Sequence, residues 1–437
     1  MSKPQTGRRA VILLLLMTSA PFAWWVARNE LVNYDLARAR RAMADLDLDA
    51  ARTWLQAAER RQPKRAEIHF RLGVVHRRAG RYRPAKECFE RAAQLGWFQK
   101  DLQRQRTLVA FQLGYLKQGE RRLAQLLGGD CDDELAEDVY EALAMGYLAE
   151  FRVSEGKACL DYWVEWRPDS VRARIWRAQF HNTMRDPEKE QAELRQVLRL
   201  DPRRIHERLW LAQSLLERNQ VDAALVESEI GRRQAPGDPR VSLTLGMCHF
   251  KQGRQDEAWR ELESAVARDL DSQSRLQALL ILGQIALASQ DYKSAARRYE
   301  EAMKIAPNDS AAHYGLGTTL SKLGNVAAAG RHLQRSLVLE NQTTRLADIN
   351  SALIKAVDNV ELRLEAARIL LDQERKTEAA VWMMSALRYH GELREAHEFL
   401  AEFFDEQGEG KLARSHLAAA RTGGESIESA IHGSNGP

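Results

Sequence analysis

The sequence predicts an all-α protein built as a long stack of helix hairpins, and three observations carry that expectation. Alanine, leucine, arginine and glutamate, all strong helix formers, fill most windows of the chain. The alternating β-rich stretches that mark a sheet are nearly absent, and there are only 11 prolines in 437 residues to interrupt helices. Small side chains recur every 34 positions from residue 32 to about 427. A fixed period of that length is the signature of a repeat array rather than of one globule.

The first element is apolar. Ala10 to Ala27 is a run of 18 residues without a charge, and at about 1.5 Å per residue a helix there spans roughly 27 Å, close to the thickness of a hydrocarbon core. Arg8 and Arg9 bound it on one side and Arg28 on the other, with Trp24 and Trp25 near its distal end, where indole rings favour the interface. A transmembrane helix over 10–27 is the expectation, with 1–9 as a short basic cytoplasmic tail. The chain then reads as a single-pass protein of a bacterial inner membrane, its repeats on the extracytoplasmic side and residues 10–27 in contact with the lipid bilayer. Two alternatives stay open. A signal peptide would use Val11 to Met17 as its apolar region and cleave after Thr18-Ser19-Ala20, which places Pro21 first in the mature chain. A buried helix of a soluble protein is the other.

The repeat is clearest in residues 276–309, where Leu282, Gly283, Ala286, Ala295, Tyr299, Ala302 and Pro307 fall at positions 7, 8, 11, 20, 24, 27 and 32 of the unit. The next unit, 310–343, repeats the set with Leu316, Gly317, Leu320, Ala329 and Leu333. Unit 239–272 carries Leu245, Gly246, Ala258, Leu262 and Ala265, and unit 66–99 carries Leu72, Gly73, Ala85, Phe89 and Ala92. Small residues at positions 8 and 20 let paired helices cross closely, bulky ones at position 24 fill the groove between neighbours, and proline at 32 stops the second helix. One hairpin has nothing to bury its apolar face against, so stability must come from stacking. The expected organisation is a block over 32–127 whose last unit is degenerate, a loop over 128–136 around Gly128-Gly129-Asp130-Cys131, and a central block over 137–343. An atypical helical insert over 344–359 follows, then a block over 360–427 and a disordered tail over 428–437.

These residues resemble the tetratricopeptide-repeat family. The resemblance implies two antiparallel helices per unit in a right-handed α-solenoid whose concave face, lined by the first helices, takes a peptide or a partner helix. The family's inward positions 2, 5, 9 and 12, with their neighbours, fall on Arg172, Ile175, Trp176, Gln179 and Asn182, then on His206, Leu209, Trp210, Gln213 and Leu216. Further on they select Arg240, Leu243, Met247, Phe250 and Lys251, then Gln277, Leu280 and Gln284, then Tyr314 and Thr318. The carboxylate clamp of the chaperone-docking members is missing: Ile175 and Gln179, Leu209 and Gln213, Leu243 and Met247 stand at the matching sites. Bacterial lipopolysaccharide-assembly regulators join an anchor to such repeats but end in a four-cysteine module, which nothing after Cys248 supplies.

Sites for covalent or metal chemistry are not expected. Cys88, Cys131, Cys159 and Cys248 contain no CxxC pair. The pairs His69 and His76, and His390 and His397, lack a third ligand at metal spacing. There is no HExxH, no nucleophile elbow and no dinucleotide loop. No enzyme activity, metal or cofactor is therefore expected. A net charge of +4 from 65 cations and 61 anions gives no basic patch of the kind nucleic acid requires, so no nucleic-acid partner is expected. The leading functional expectation is a membrane-anchored protein-protein interaction scaffold that holds a membrane-associated protein or peptide in its concave face. One alternative is a permanent structural or assembly subunit of an envelope or secretion complex. Another is a polysaccharide-export helper with Trp163 and Trp166 exposed along a glycan path.

Overall fold

The computed structural model describes residues 26–116 and 132–422. Most of the apolar run 10–27, the residues 117–131 with Cys131, and the tail 428–437 lie outside the described residues. Among the described residues all regular structure is helical, and no helix is long and apolar enough to cross a membrane. The chain divides into two compact units, Met1–Ala149 and Glu150–Pro437. The first contains α1 (26–44), α2 (Leu48–Arg61), α3 (Ala66–Arg78), α4 (Tyr82–Gln94), α5 (Gln99–Gln112) and α6 (Asp133–Ala149). The second contains α7 (Val153–Trp166), α8 (Val171–Thr183), α9 (Pro187–Leu200), α10 (Ile205–Glu217), α11 (Val221–Gln234), α12 (Pro239–Lys251), α13 (Gln255–Val266) and α14 (Ser272–Ala288). It continues with α15 (Tyr292–Ile305), α16 (Ser310–Lys322), α17 (Val326–Lys355), α18 (Val360–Asp372), α19 (Lys376–Tyr389), α20 (Arg394–Glu406) and α21 (Gly410–Thr422).

Local chemistry starts each helix. Asp186, Asp271, Asp291 and Asp309 accept from the backbone N–H three residues on, and Pro187 and Pro239 occupy first-turn sites where no intrahelical donor is lost. The turns are just as regular. Leu46, Gly80, Gly114, Phe151, Arg185, Asn219, Gly253, Gln290, Gly324, Glu374 and Gly408 all have φ between 53° and 84°. They fall 34 residues apart, with slips only after Gly114, Gly253 and Gly324. One left-handed residue, at position 15, thus reverses the chain inside every hairpin. The unit that looks degenerate in sequence keeps it at Gly114.

The small residues do what their spacing predicts. A Cβ on Gly246 would lie 2.7 Å from Leu262 Cγ, one on Gly283 2.7 Å from Tyr299, and one on Gly317 2.8 Å from Leu333. Each is a position 8 residue against a position 24 residue of the same hairpin. Tyr299 and Leu262 are almost wholly buried, and burial of such side chains contributes about 1.5–3 kcal/mol apiece.

Two boundaries differ from those expected. The loop expected over 128–136 ends earlier, because helix α6 begins at Asp133. The expected central block is cut at Ala149/Glu150, within its first hairpin. The helical insert expected over 344–359 lengthens the preceding helix: α17 runs unbroken for 30 residues, and its last turns place Ile349 and Leu353 in a core with Ala366. Nothing in 344–355 caps or breaks a helix, so the second helix of the preceding hairpin continues.

Charges are also built into the cores. In the first unit Arg77 is fully buried; its Nε donates to Gln105 (2.7 Å), its guanidinium pairs with Asp138, and Arg78 reaches the same carboxylate at 2.8 Å. In four repeats of the second unit a side chain at position 4 of a first helix reaches the carbonyl six residues earlier, in the turn just after the preceding helix. Arg174 donates to Pro168 O (2.8 Å), Arg208 to Pro202 O (2.8 Å), His313 to Pro307 O (3.0 Å) and His397 to Gly391 O (2.8 Å). His69 makes the equivalent bond to Pro63 O in the first unit (2.7 Å). Helix ends leave carbonyls without intrahelical donors, and these side chains satisfy one at each junction.

Candidate functional site

The first helices α10, α12, α14 and α16 touch one another in sequence, so their outward-turned side chains form a continuous surface. On it Leu216 of α10, Met247, Phe250 and Lys251 of α12, and Ile281 and Gln284 of α14 line an open cavity of about 200 Å³. Five of the twenty residues selected from sequence, Leu216, Met247, Phe250, Lys251 and Gln284, therefore meet in one place. Its floor is apolar. Lys251 on the rim is exposed and forms no ion pair among the described residues. The volume is below the roughly 300–1,000 Å³ of small-molecule sites and suits single side chains.

The other predicted residues are disposed differently. Asn182 and Trp210 are tied to Glu190, a buried carboxylate of α9. Asn182 Nδ2 donates to it at 3.0 Å, Trp210 Nε1 at 2.5 Å and Ser214 Oγ at 2.9 Å. Sequence reasoning missed Glu190 because it sits on a second helix; its only signal was a carboxylate within an otherwise apolar face. Arg240 is held by both oxygens of Asp238 at 2.5–3.2 Å. Gln179 and His206 are exposed, Trp176 and Gln213 half-buried, and Tyr314 is 61 % exposed one hairpin beyond the cavity.

Two expectations are overturned. Arg172 does not face a groove: it is buried, with its guanidinium 5.7 Å from the Trp163 ring. At that distance the cation lies over the ring face. Trp163 in turn is fully buried, so of the two tryptophans only Trp166 is exposed. The seven-residue histidine spacings also lead elsewhere: His397 faces His416 of its own hairpin, Nδ1 to Nδ1 at 2.9 Å, and not His390. Burial pushes the Cys88 and Cys248 thiols up to about 11, which leaves neither as a ready nucleophile.

A further contact joins distant parts of the second unit. The Tyr389 hydroxyl donates to Glu150 (2.7 Å) and Arg388 pairs with the same carboxylate. Phe151 packs 5.7 Å from Trp382, and the fully buried Arg363 lies 4.4 Å from the Tyr389 ring. Residues at the start of this unit thus close onto α18 and α19, more than 200 positions later.

Tetratricopeptide-repeat family profiles match residues 66–96, 209–275 and 286–353. Comparison with curated proteins gives no significant match. Among solved structures the chain is similar to MamA from Desulfovibrio magneticus RS-1, at 19 % identity and a TM-score of 0.34, over 40 % of this chain and 96 % of that one. It is also similar to PilW, a type IV pilus biogenesis factor, at 18 % identity and a TM-score of 0.40, over 46 % and 91 % of the two chains. A human IFIT1 dimer with PPP-AAAA matches at 17 % identity and a TM-score of 0.41, over 82 % and 90 %. In the three stretches that the profiles match, the chain carries tetratricopeptide repeats.

Proposed function

We propose that this chain is a membrane-tethered, non-enzymatic scaffold that holds an extended segment of a partner protein on the surface formed by α10, α12 and α14. The observation that carries the reading is the cavity among Leu216, Met247, Phe250 and Ile281, rimmed by Lys251 and Gln284. An apolar floor accepts one aliphatic or aromatic side chain, and the lysine favours a carboxylate beside it. The amide of Gln284 can bond a passing backbone. Anchoring residues of this kind supply most of the binding energy of an interface. Residues 10–27 would hold the array at a bacterial inner membrane with the repeats extracytoplasmic, and tethering would raise the effective concentration of a membrane-bound partner.

The test is crosslinking capture from native membranes with Phe250→Ala and Lys251→Ala combined. At least a tenfold loss of the captured partner is expected; undiminished capture would remove the groove from the proposal. A second reading, a permanent subunit of an envelope or secretion complex, is favoured by one feature: Val326, Leu333, Leu337 and Val338 of α17 are exposed. Stoichiometric co-purification at high salt that survives the double variant would support it.

A further inference from the structure

Position 4 of a first helix and position 23 of the same hairpin face each other in four repeats of the second unit, with two kinds of chemistry. Arg174 pairs with Glu193 (3.2 Å) and Arg208 with Glu227 (2.5 Å). At the same two positions His313 meets His332 and His397 meets His416, each Nδ1 to Nδ1 at 2.9 Å. The first residue of every pair also bonds a carbonyl at the junction with the preceding helix.

That carbonyl fixes the histidine tautomers. Pro307 O and Gly391 O can only accept, so Nε2 of His313 and of His397 carries the proton. Their Nδ1 atoms are then bare acceptors, and His332 and His416 donate from Nδ1. Each neutral pair is satisfied. A proton added to Nδ1 of His313 or His397 would bring two N–H groups face to face. One added at Nε2 of the second ring would place a cation on His416, which is buried and stacked against Phe404 at 5.5 Å. An arginine–glutamate pair has no such choice, because a guanidinium only donates and a carboxylate only accepts.

We propose that the two histidine pairs make repeats 310–343 and 394–427 acid-sensitive, so that they loosen below the ordinary imidazole range while the arginine–glutamate repeats 171–238 stay closed. Surrounding charges do not rescue the pairs. His332 is pushed down by burial first, then by His313 and Arg331, with Glu300 opposing. His416 is pushed down to about 4, by burial first and then by His397. Other charged groups on the same and adjoining helices are engaged in their own pairs, Arg298 with Glu301, Arg368 with Glu395, Arg394 with Glu398 and Lys376 with Glu406, which leaves Glu300 as the carboxylate opposing the shift of His332. The sign follows from linkage. A histidine whose folded pKa lies below its unfolded value near 6.5 stabilises the fold above that pH, and the contribution is lost as pH falls toward 4.

The experiment is hydrogen exchange of the full chain at pH 7.5 and 5.0, corrected for the intrinsic pH dependence of exchange. Loss of one such contribution raises the opening equilibrium of 394–422 by about thirtyfold over that interval, with little change in 171–238. Replacing the pair by the one used elsewhere, His397→Arg with His416→Glu, is expected to cut the ratio to about threefold or less. His397→Gln with His416→Gln, which also removes titration, serves if the first variant misfolds. Equal pH ratios in 394–422 and 171–238 of the native chain, or an unchanged ratio in the folded variants, would overturn the proposal.

Discussion

Replacing Gly246 and Gly330 by alanine, one at a time, tests the packing logic of the whole array. Both are helical, and removing a helix-interior glycine is worth about 1 kcal/mol in either case. Their surroundings differ. At Gly330, on α17, a new Cβ meets nothing within 4 Å, so the full gain of about 1 kcal/mol should survive. At Gly246 the Cβ would lie 2.7 Å from Leu262 Cγ, 2.8 Å from its Cδ2 and 3.3 Å from its backbone nitrogen. The side chain can turn, but the backbone nitrogen moves only with α13. Overpacking of that kind costs about 1–3 kcal/mol, so Gly246→Ala should be net destabilising by about 1 kcal/mol. Repeat arrays do not unfold in one step, so the readout is local. In hydrogen exchange followed by mass spectrometry, opening of 239–266 should rise about fivefold in Gly246→Ala, and opening of 326–343 should fall about fivefold in Gly330→Ala. If Gly246→Ala protects its hairpin as Gly330→Ala does, position 8 is not a tight crossing and the account of the 34-residue period fails.

Two further outcomes follow from buried carboxylates. Glu190→Ala leaves Trp210 Nε1, Ser214 Oγ and Asn182 Nδ2 without their acceptor and should cost about 1–3 kcal/mol, read as faster exchange across 171–217 and a shifted tryptophan emission; an unaltered spectrum and exchange would deny it a positioning role. Glu150→Ala strips Tyr389 and Arg388 of their shared partner and should cost about 3 kcal/mol, read as faster exchange in 376–389 with 205–266 unaffected; unchanged exchange in 376–389 would show that the closing contact contributes nothing.

What could be read from the sequence was what each hairpin does for itself. Gly246, Gly283, Tyr299 and Pro307 act on neighbours within one period, so their spacing exposes them. The turn residue at position 15 was visible only where it is glycine. Arg185, Gln290 and Glu374 take the same left-handed conformation, which costs a non-glycine residue about 1–2 kcal/mol, and no composition signal marks them. The position 4 junction was hidden for a related reason: arginine and histidine fill it in turn, and only their geometry reveals one role. Arg172 shows that a residue at an inward position can still be taken up by a neighbour, here the buried Trp163. The contact of Glu150 and Phe151 with α18 and α19 leaves no trace at any short spacing.

These internal bonds also decide where a partner can be gripped. On α8 and α10 two of the polar side chains are already engaged: Asn182 and Trp210 serve Glu190, and a ligand that recruited them would leave a buried carboxylate short of donors. Arg240 at the start of α12 is likewise neutralised by Asp238. From Met247 to Gln284 the apolar side chains have no such obligation, and the one rim cation has no internal partner among the described residues. Affinity should therefore concentrate between 247 and 284, with α8 and α10 acting as a stiff wall. The closing contact works in the same direction. Because Glu150 and Phe151 hold α18 and α19, the stack from α7 to α19 is fixed at both ends, and spreading the helices around the cavity would strain a buried cluster far from it. A surface held in this way favours a ligand that already fits over one that must force the helices apart, since the ordering cost is met before binding.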